Sequence, residues 1–318
     1  MCYTVAPASR RKCAGTEPEP LRHAVNVARQ PTLEQELRRK KTHAERMASR
    51  DGYFAPESVI RRLGNSPLVP MLGGGAAVLL QVAHPLVAAG VVYHSDYHAD
   101  LWRRLLRTLQ ALYLITYGSK EEAERAGEAV QAVHARVRGT TKEQLGRFPA
   151  GTRYDASDPE LMLWVHATLV ESSLAAYRRF VARLTADEEE AYYREMAVVA
   201  QVFGLPRSAI PATLADFRDY LRAQLAGADI CVTAPAREVA AVIVEAPLPR
   251  PLRALAPAHR LATAALLPPR LREEYGLGWS RAHAMQLAVA AQSLRVLAVP
   301  LFRLAGRHSS SRSLAYAT

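Results

Sequence analysis

From residue 51 onward, apolar side chains recur at intervals of three and four rather than two, the period of an amphipathic helix with one buried face. The segments are bounded by helix-stop and helix-start residues. "DLWRRLLRTLQALYLITYG" closes on Gly118. "SKEEAERAGEAVQAVHARVRG" opens on a serine followed by acids and closes on Gly139, and "SDPELMLWVHATLVESSLAAYRRFVARLT" opens on Asp158-Pro159. "TADEEEAYYREMAVVAQVFGLP", "IPATLADFRDYLRAQL" and "SRAHAMQLAVAAQSLRVLAVPLFRLA" repeat the pattern. No segment shows several alternating strands joined by hairpin turns, so the pattern predicts an all-α fold, a single multi-helix domain. "DGYFAPESVIRRLG" starts it, with Pro56 at a helix-start position and Gly64 as a stop, whereas "EVAAVIVEAP" suits a lone strand and a short helix about equally.

Composition divides the chain. Residues 1–50 are rich in Arg, Lys, Pro and Glu and poor in large apolar groups, which predicts a basic, disordered N-terminal tail in which "TLEQELRRKKTHAERMASR" could form an exposed helix behind Thr32. The helical domain is expected over residues 51–305, followed by a C-terminal tail over 306–318. Lys and Arg exceed Asp and Glu by 41 to 30, a formal charge of +11 that attracts anions, acidic lipid or nucleic acid. No zinc-finger spacing or RNP-like aromatic motif accompanies that charge, so nucleic acid is not the expected partner. Cys2, Cys13 and Cys231 are odd in number and not spaced as metal ligands, which favours a reducing, cytoplasmic setting. Arg10-Arg11 precede polar residues rather than the apolar region an export signal needs. The apolar run from Leu68 to Tyr93 is long enough to span a bilayer, but three consecutive glycines and His84-Pro85 interrupt it, so a buried core helix is expected, with peripheral membrane contact left open.

Candidate chemistry lies with the histidines. At about 100° per residue, a helix from Lys120 to Arg138 places Ala123, Ala126, Gly127, Val130, His134 and Val137 on one face, an imidazole inside a small-residue apolar stripe with room for something flat. His166 shares its face with Met162, Leu163, Leu169, Val170, Ser173 and Tyr177. Each ring has two readings: a core histidine bonded to a neighbouring carbonyl, or a metal ligand. At His84, Pro85 removes a backbone hydrogen bond and bends the helix, leaving a carbonyl for a side chain or ligand to meet. Arg104 and Thr108 stand one turn apart, either gripping one object together or flanking a core stripe. Glu171 reads as a buried acid or an ordinary flanking residue, and "HSDYH" from His94 to His98 as a polar loop or, less simply, a metal site. There is no nucleophile elbow, H-E-x-x-H, P-loop or Glu-x-x-His pair, and "GGGAA" from Gly73 lacks the strand of a dinucleotide loop.

Four stretches, "LLQVAHPLVAAGVVYHS", "RRLLRT", "YGSKEEAERAGEAVQAVHARVRG" and "YDASDPELMLWVHATLVES", resemble in that order the bacterial family sharing a catalytic domain with latex-clearing protein (rubber oxygenase) and the fungal oxygenase MpaB, over roughly Asp51 to Leu301. The resemblance implies a rubber-oxygenase-type fold with a buried b-type haem (iron) and dioxygen chemistry on an apolar, isoprenoid or lipid-like small molecule. It further implies that Arg104 and Thr108 match the family's Arg-x-x-x-Thr element beside the haem, with Arg107 in place of its lysine. His134 corresponds to the axial histidine, and His84 and His166 supply distal or second hydrogen bonds. The acidic residue of rubber oxygenase would align near "HPLVAAG", which holds no carboxylate, so polyisoprene cleavage itself is not implied. The alternative readings are a haem- or lipid-binding helical protein without turnover and a membrane-surface or nucleic-acid domain acting through the basic tail.

Overall fold

The computed structural model describes residues 51–94, 97–244 and 256–298, with residues 97–105 and 298 described by their backbone alone. The described residues lie within one compact unit. Its α-helices are α1 (Val59–Gly64), α2 (Leu68–Val82), α3 (Pro85–Tyr93), α4 (Tyr97–Tyr117), α5 (Lys120–His134), α6 (Pro159–Phe180), α7 (Ala186–Val202), α8 (Leu214–Ala226), α9 (Ala234–Val244), α10 (Ala256–Leu266), α11 (Pro269–Glu274) and α12 (Arg281–Ser293). A five-residue π-helical segment, Leu294–Ala298, follows α12. The tails expected over 1–50 and 306–318 lie outside the described residues.

Local sequence sets most helix starts. Ser119 with Glu122, Thr185 with Glu188 and Thr213 with Asp216 each form a reciprocal cap, and Asp158 accepts from the Glu160 amide ahead of Pro159. The first helix departs from its expected start at Pro56. It begins at Val59 because the Glu195 carboxylate of α7 takes the amides of Val59 and Ile60 at 3.3 and 2.6 Å, a cap supplied from a distant part of the chain.

The core is organised around α2, which lies against α6, α9 and α10. Leu79, Leu80, Trp164, Val170, Leu174 and Phe180 are all buried there, each apolar side chain of this size contributing roughly 1.5–3 kcal/mol. The triple glycine permits this closeness and forms no ligand loop. A Cβ on Gly73 would stand 2.9 Å from Ala176 Cβ, and one on Gly75 would stand 2.3 Å from Thr263 Oγ1, whereas one on Gly74 meets nothing within 4 Å.

The apolar run forms two helices instead of one. α2 and α3 meet at 103°, and no single helix among the described residues is long and apolar enough to cross a membrane. His84 caps α3, its Nδ1 accepting from the Leu86 amide at 3.3 Å. The carbonyl that Pro85 would have met is that of Gln81, and the Trp164 indole N–H occupies it at 3.2 Å.

One further expectation is corrected and one open reading is settled. α5 ends at His134 rather than Gly139, because Val137 N closes a tight turn onto the His134 carbonyl and the chain then enters a ribbon. Strands β1 (Arg138–Thr140) and β2 (Arg153–Asp155) pair antiparallel with Gly139 opposite Tyr154. "EVAAVIVEAP" resolves as helix up to Val244.

Candidate functional site

Helices α3, α4, α5 and α6 enclose a cavity of about 970 Å³, at the upper end of the roughly 300–1,000 Å³ span of small-molecule sites. Apolar side chains dominate its walls: Leu86, Val87 and Val91 from α3, Ala111 and Leu114 from α4, Ala126 and Val130 from α5, and Met162, Val165 and Leu169 from α6. Phe203 and Leu205, just beyond α7, complete one side.

Two imidazoles border this space. His166 is 5% exposed, its Nε2 has no hydrogen-bond partner, and burial pulls its pKa down to about 4. His134, the last residue of α5, is half-buried, its Nδ1 is sealed from solvent without a partner, and burial lowers its pKa as well. An unsatisfied buried nitrogen costs roughly 1–3 kcal/mol, so such groups in native proteins need an explanation. Both rings are neutral near pH 7, the state in which imidazole can coordinate a metal.

Thr108 and Arg107 line the same cavity from α4, and both are exposed. Arg104 belongs to α4 as well, but its side chain lies outside the described residues. The structure thus brings together His134, His166 and Thr108. His84 goes elsewhere: its ring packs on Phe148 at a centroid distance of 5.6 Å and does not border the cavity. Burial pulls its pKa to about 4, Asp229 opposes that shift and Arg147 reinforces it. The proline corner accounts for this placement, since the cap on α3 uses Nδ1 as an acceptor and fixes the ring against the Phe148 loop.

Other candidates resolve as structure. Glu171 pairs with Arg178 at 3.3 Å away from the cavity, and burial raises its pKa against the pull of Arg178. His94 Nε2 lies 2.9 Å from Tyr154 Oη, while Asp96 and the side chain of His98 fall outside the described residues. Gly127 leaves room for a neighbouring helix rather than a ligand, since a Cβ there would stand 2.3 Å from the Val202 carbonyl oxygen.

Several wall residues escaped the periodicity. Tyr154 reaches the cavity from β2, and Phe203 and Leu205 follow the end of α7. Arg125 lines the cavity from the flank of α5, paired with Glu121 at 2.6 Å. Among the described residues no cluster of three or more His, Cys, Asp or Glu side chains can hold a metal ion unaided.

Comparison with known proteins gives the chain its relatives. The family described as "ER-bound oxygenase mpaB/B'/Rubber oxygenase, catalytic domain" matches residues 61–296. The uncharacterized protein Mb2261 of Mycobacterium bovis is 30% identical over 218 residues, covering 67% of this chain and 82% of its own length. The uncharacterized protein Rv2237 of Mycobacterium tuberculosis gives the same figures, 30% over 218 residues with 67% and 82% covered. No solved structure matches. With a catalytic-domain match running from within α1 to the π-helical segment after α12, and these relatives beside it, the chain belongs to the family of the mpaB oxygenases and rubber oxygenase.

Proposed function

We propose that the protein is a haem-dependent oxygenase that uses dioxygen on an apolar, isoprenoid- or lipid-like small molecule, with His134 as the axial ligand of the iron. The observation that carries this reading is the pair of imidazoles bordering one apolar cavity, each with a buried nitrogen that lacks a partner. The residues fit a b-type haem: broad aliphatic walls for the ring, a neutral histidine at a helix end, and the Arg107 and Arg125 guanidiniums for the propionates. When bound, the haem would supply an iron centre at which dioxygen is activated for attack on a carbon-carbon double bond.

The chain's own contributions follow from position and charge. Ala126, Val130, Met162 and Val165 exclude water and hold an apolar chain by contact area. His166, uncharged at neutral pH, borders the cavity without adding a charge there. Thr108 adds a hydroxyl to the cavity wall, and Arg104, from the same helix, is proposed to act with it.

The test is a haemin titration of the purified protein followed by its absorption spectrum. A Soret band that forms with the wild type and with His166→Ala, but not with His134→Ala, supports the assignment. No band with the wild type removes the proposal, and a band unchanged in His134→Ala moves the ligand elsewhere. Oxygen uptake with unsaturated prenyl compounds then separates turnover from simple binding.

A further inference from the structure

A second recess, sharing no wall residue with the histidine cavity, lies where the ends of α6 and α10 meet α12. It is an open groove of about 400 Å³. Leu287, 2% exposed, lies among its apolar walls, with Leu266 and Trp279 beside it. Three guanidiniums, Arg178, Arg179 and Arg295, border the same space.

Their charges are not equally compensated. Arg178 is paired with Glu189 at 2.9 Å and with Glu171 at 3.3 Å, and Glu189 also pairs with Arg218. Arg295 donates from Nη2 to the Arg178 backbone carbonyl, while its Nε is sealed from solvent with no partner. Arg179 makes no hydrogen bond or ion pair with any described residue. Two positive charges, that of the exposed Arg179 and that of the partly buried Arg295, therefore border a groove of mixed polar and apolar lining with no carboxylate paired to them among the described residues. The partial negative charge at the C-terminal end of α6 is about half an elementary unit, too little to neutralise both. A guanidinium prefers a planar oxyanion that it can meet with two parallel N–H groups.

We propose that this recess binds a monocarboxylate with an apolar body, the carboxylate held by Arg179 and Arg295 and the first carbons packed against Leu266, Trp279 and Leu287. The site is separate from the histidine cavity and stands whether or not that cavity holds haem. Ligand length is limited by the modest volume, so a medium-length chain suits it better than a long one.

The experiment is calorimetric titration of the full chain with octanoate, with 1-octanol and with inorganic phosphate at matched ionic strength. Octanoate is expected to bind at least tenfold more tightly than either of the others. Arg179→Gln should weaken octanoate at least fivefold, and Arg179→Lys should restore part of the loss. Because Arg295 also caps α6, Arg295→Gln is read only beside its melting temperature, and Arg179→Gln is the deciding variant. Equal affinity for octanol, equal affinity for phosphate, no binding of octanoate by the wild type, or undiminished binding by Arg179→Gln would each overturn the assignment.

Discussion

The Trp164 indole N–H donates to the Gln81 carbonyl at 3.2 Å, across 83 positions of sequence, at the point where Pro85 deprives that carbonyl of its helical partner. One side chain of α6 thereby closes the gap at the corner between α2 and α3. Trp164→Phe keeps most of the buried area and removes the donor. A loss of about 1–3 kcal/mol in urea unfolding is expected from leaving that acceptor under-satisfied. A change within a few tenths would mean that the His84 amide, 3.2 Å from the same oxygen, suffices.

The three consecutive glycines make a within-helix control. Gly74→Ala meets nothing within 4 Å and should stabilise the fold by about 0.5–1 kcal/mol, the entropic gain of alanine over glycine inside a helix. Gly75→Ala drives a methyl to 2.3 Å from Thr263 Oγ1, so α2 and α10 must separate, at a cost of about 1–3 kcal/mol. Thermal melts of the two variants should move in opposite directions.

His166 is expected to weaken the protein it serves. Replacing an unpartnered buried imidazole with an aliphatic group of similar reach removes an unmet nitrogen, so His166→Leu should be neutral or stabilising by about 1 kcal/mol at pH 7.5. A loss of more than about 2 kcal/mol would show a partner for the ring that this geometry does not contain.

Acid should destabilise the fold through two rings. His84 and His166 both titrate at about 4 when folded against an ordinary 6.5, so between those values the unfolded chain binds more protons. Their contribution is complete above pH 6.5, falls as pH drops towards 4, and levels off below it. At about 1.4 kcal/mol per pH unit, each ring loses on the order of 3 kcal/mol over that window. Glu171, raised by burial, acts in the opposite sense, but it is common to both proteins when the wild type is compared with His166→Leu. The variant should therefore show a shallower loss between pH 7 and 5 in urea titrations.

Filling the cavity tests its use directly. Val165 lines it beside His166 and is only half-buried, so Val165→Trp can occupy the space without overpacking the central core. At least tenfold weaker haemin binding is expected, with a far-UV spectrum like that of the wild type. Unchanged binding would place the cofactor outside these walls.

Much of this was legible in the chain. The reciprocal caps at Ser119, Thr185 and Thr213 are local signals, and a period of 3.6 puts His134 and His166 on the helix faces that border the cavity. What escaped depends on distant partners. The start of α1 is set by Glu195, the end of α5 by a ribbon pairing Gly139 with Tyr154, and the placement of His84 by a proline corner. Periodicity marks a face as buried without saying what it is buried against, so Gly127 looked like ligand space and proved to be a helix contact.

The right-angled bend at Pro85 also has a bearing on engineering. Gln81 before it and Leu86, Val87 and Val91 after it form adjoining sides of the same chamber, so one uninterrupted piece of backbone behaves as an angle bracket. Straightening that bracket, for example with Pro85→Ala, would splay two sides at once, whereas substitutions further along either arm would retune one side and leave the other in place.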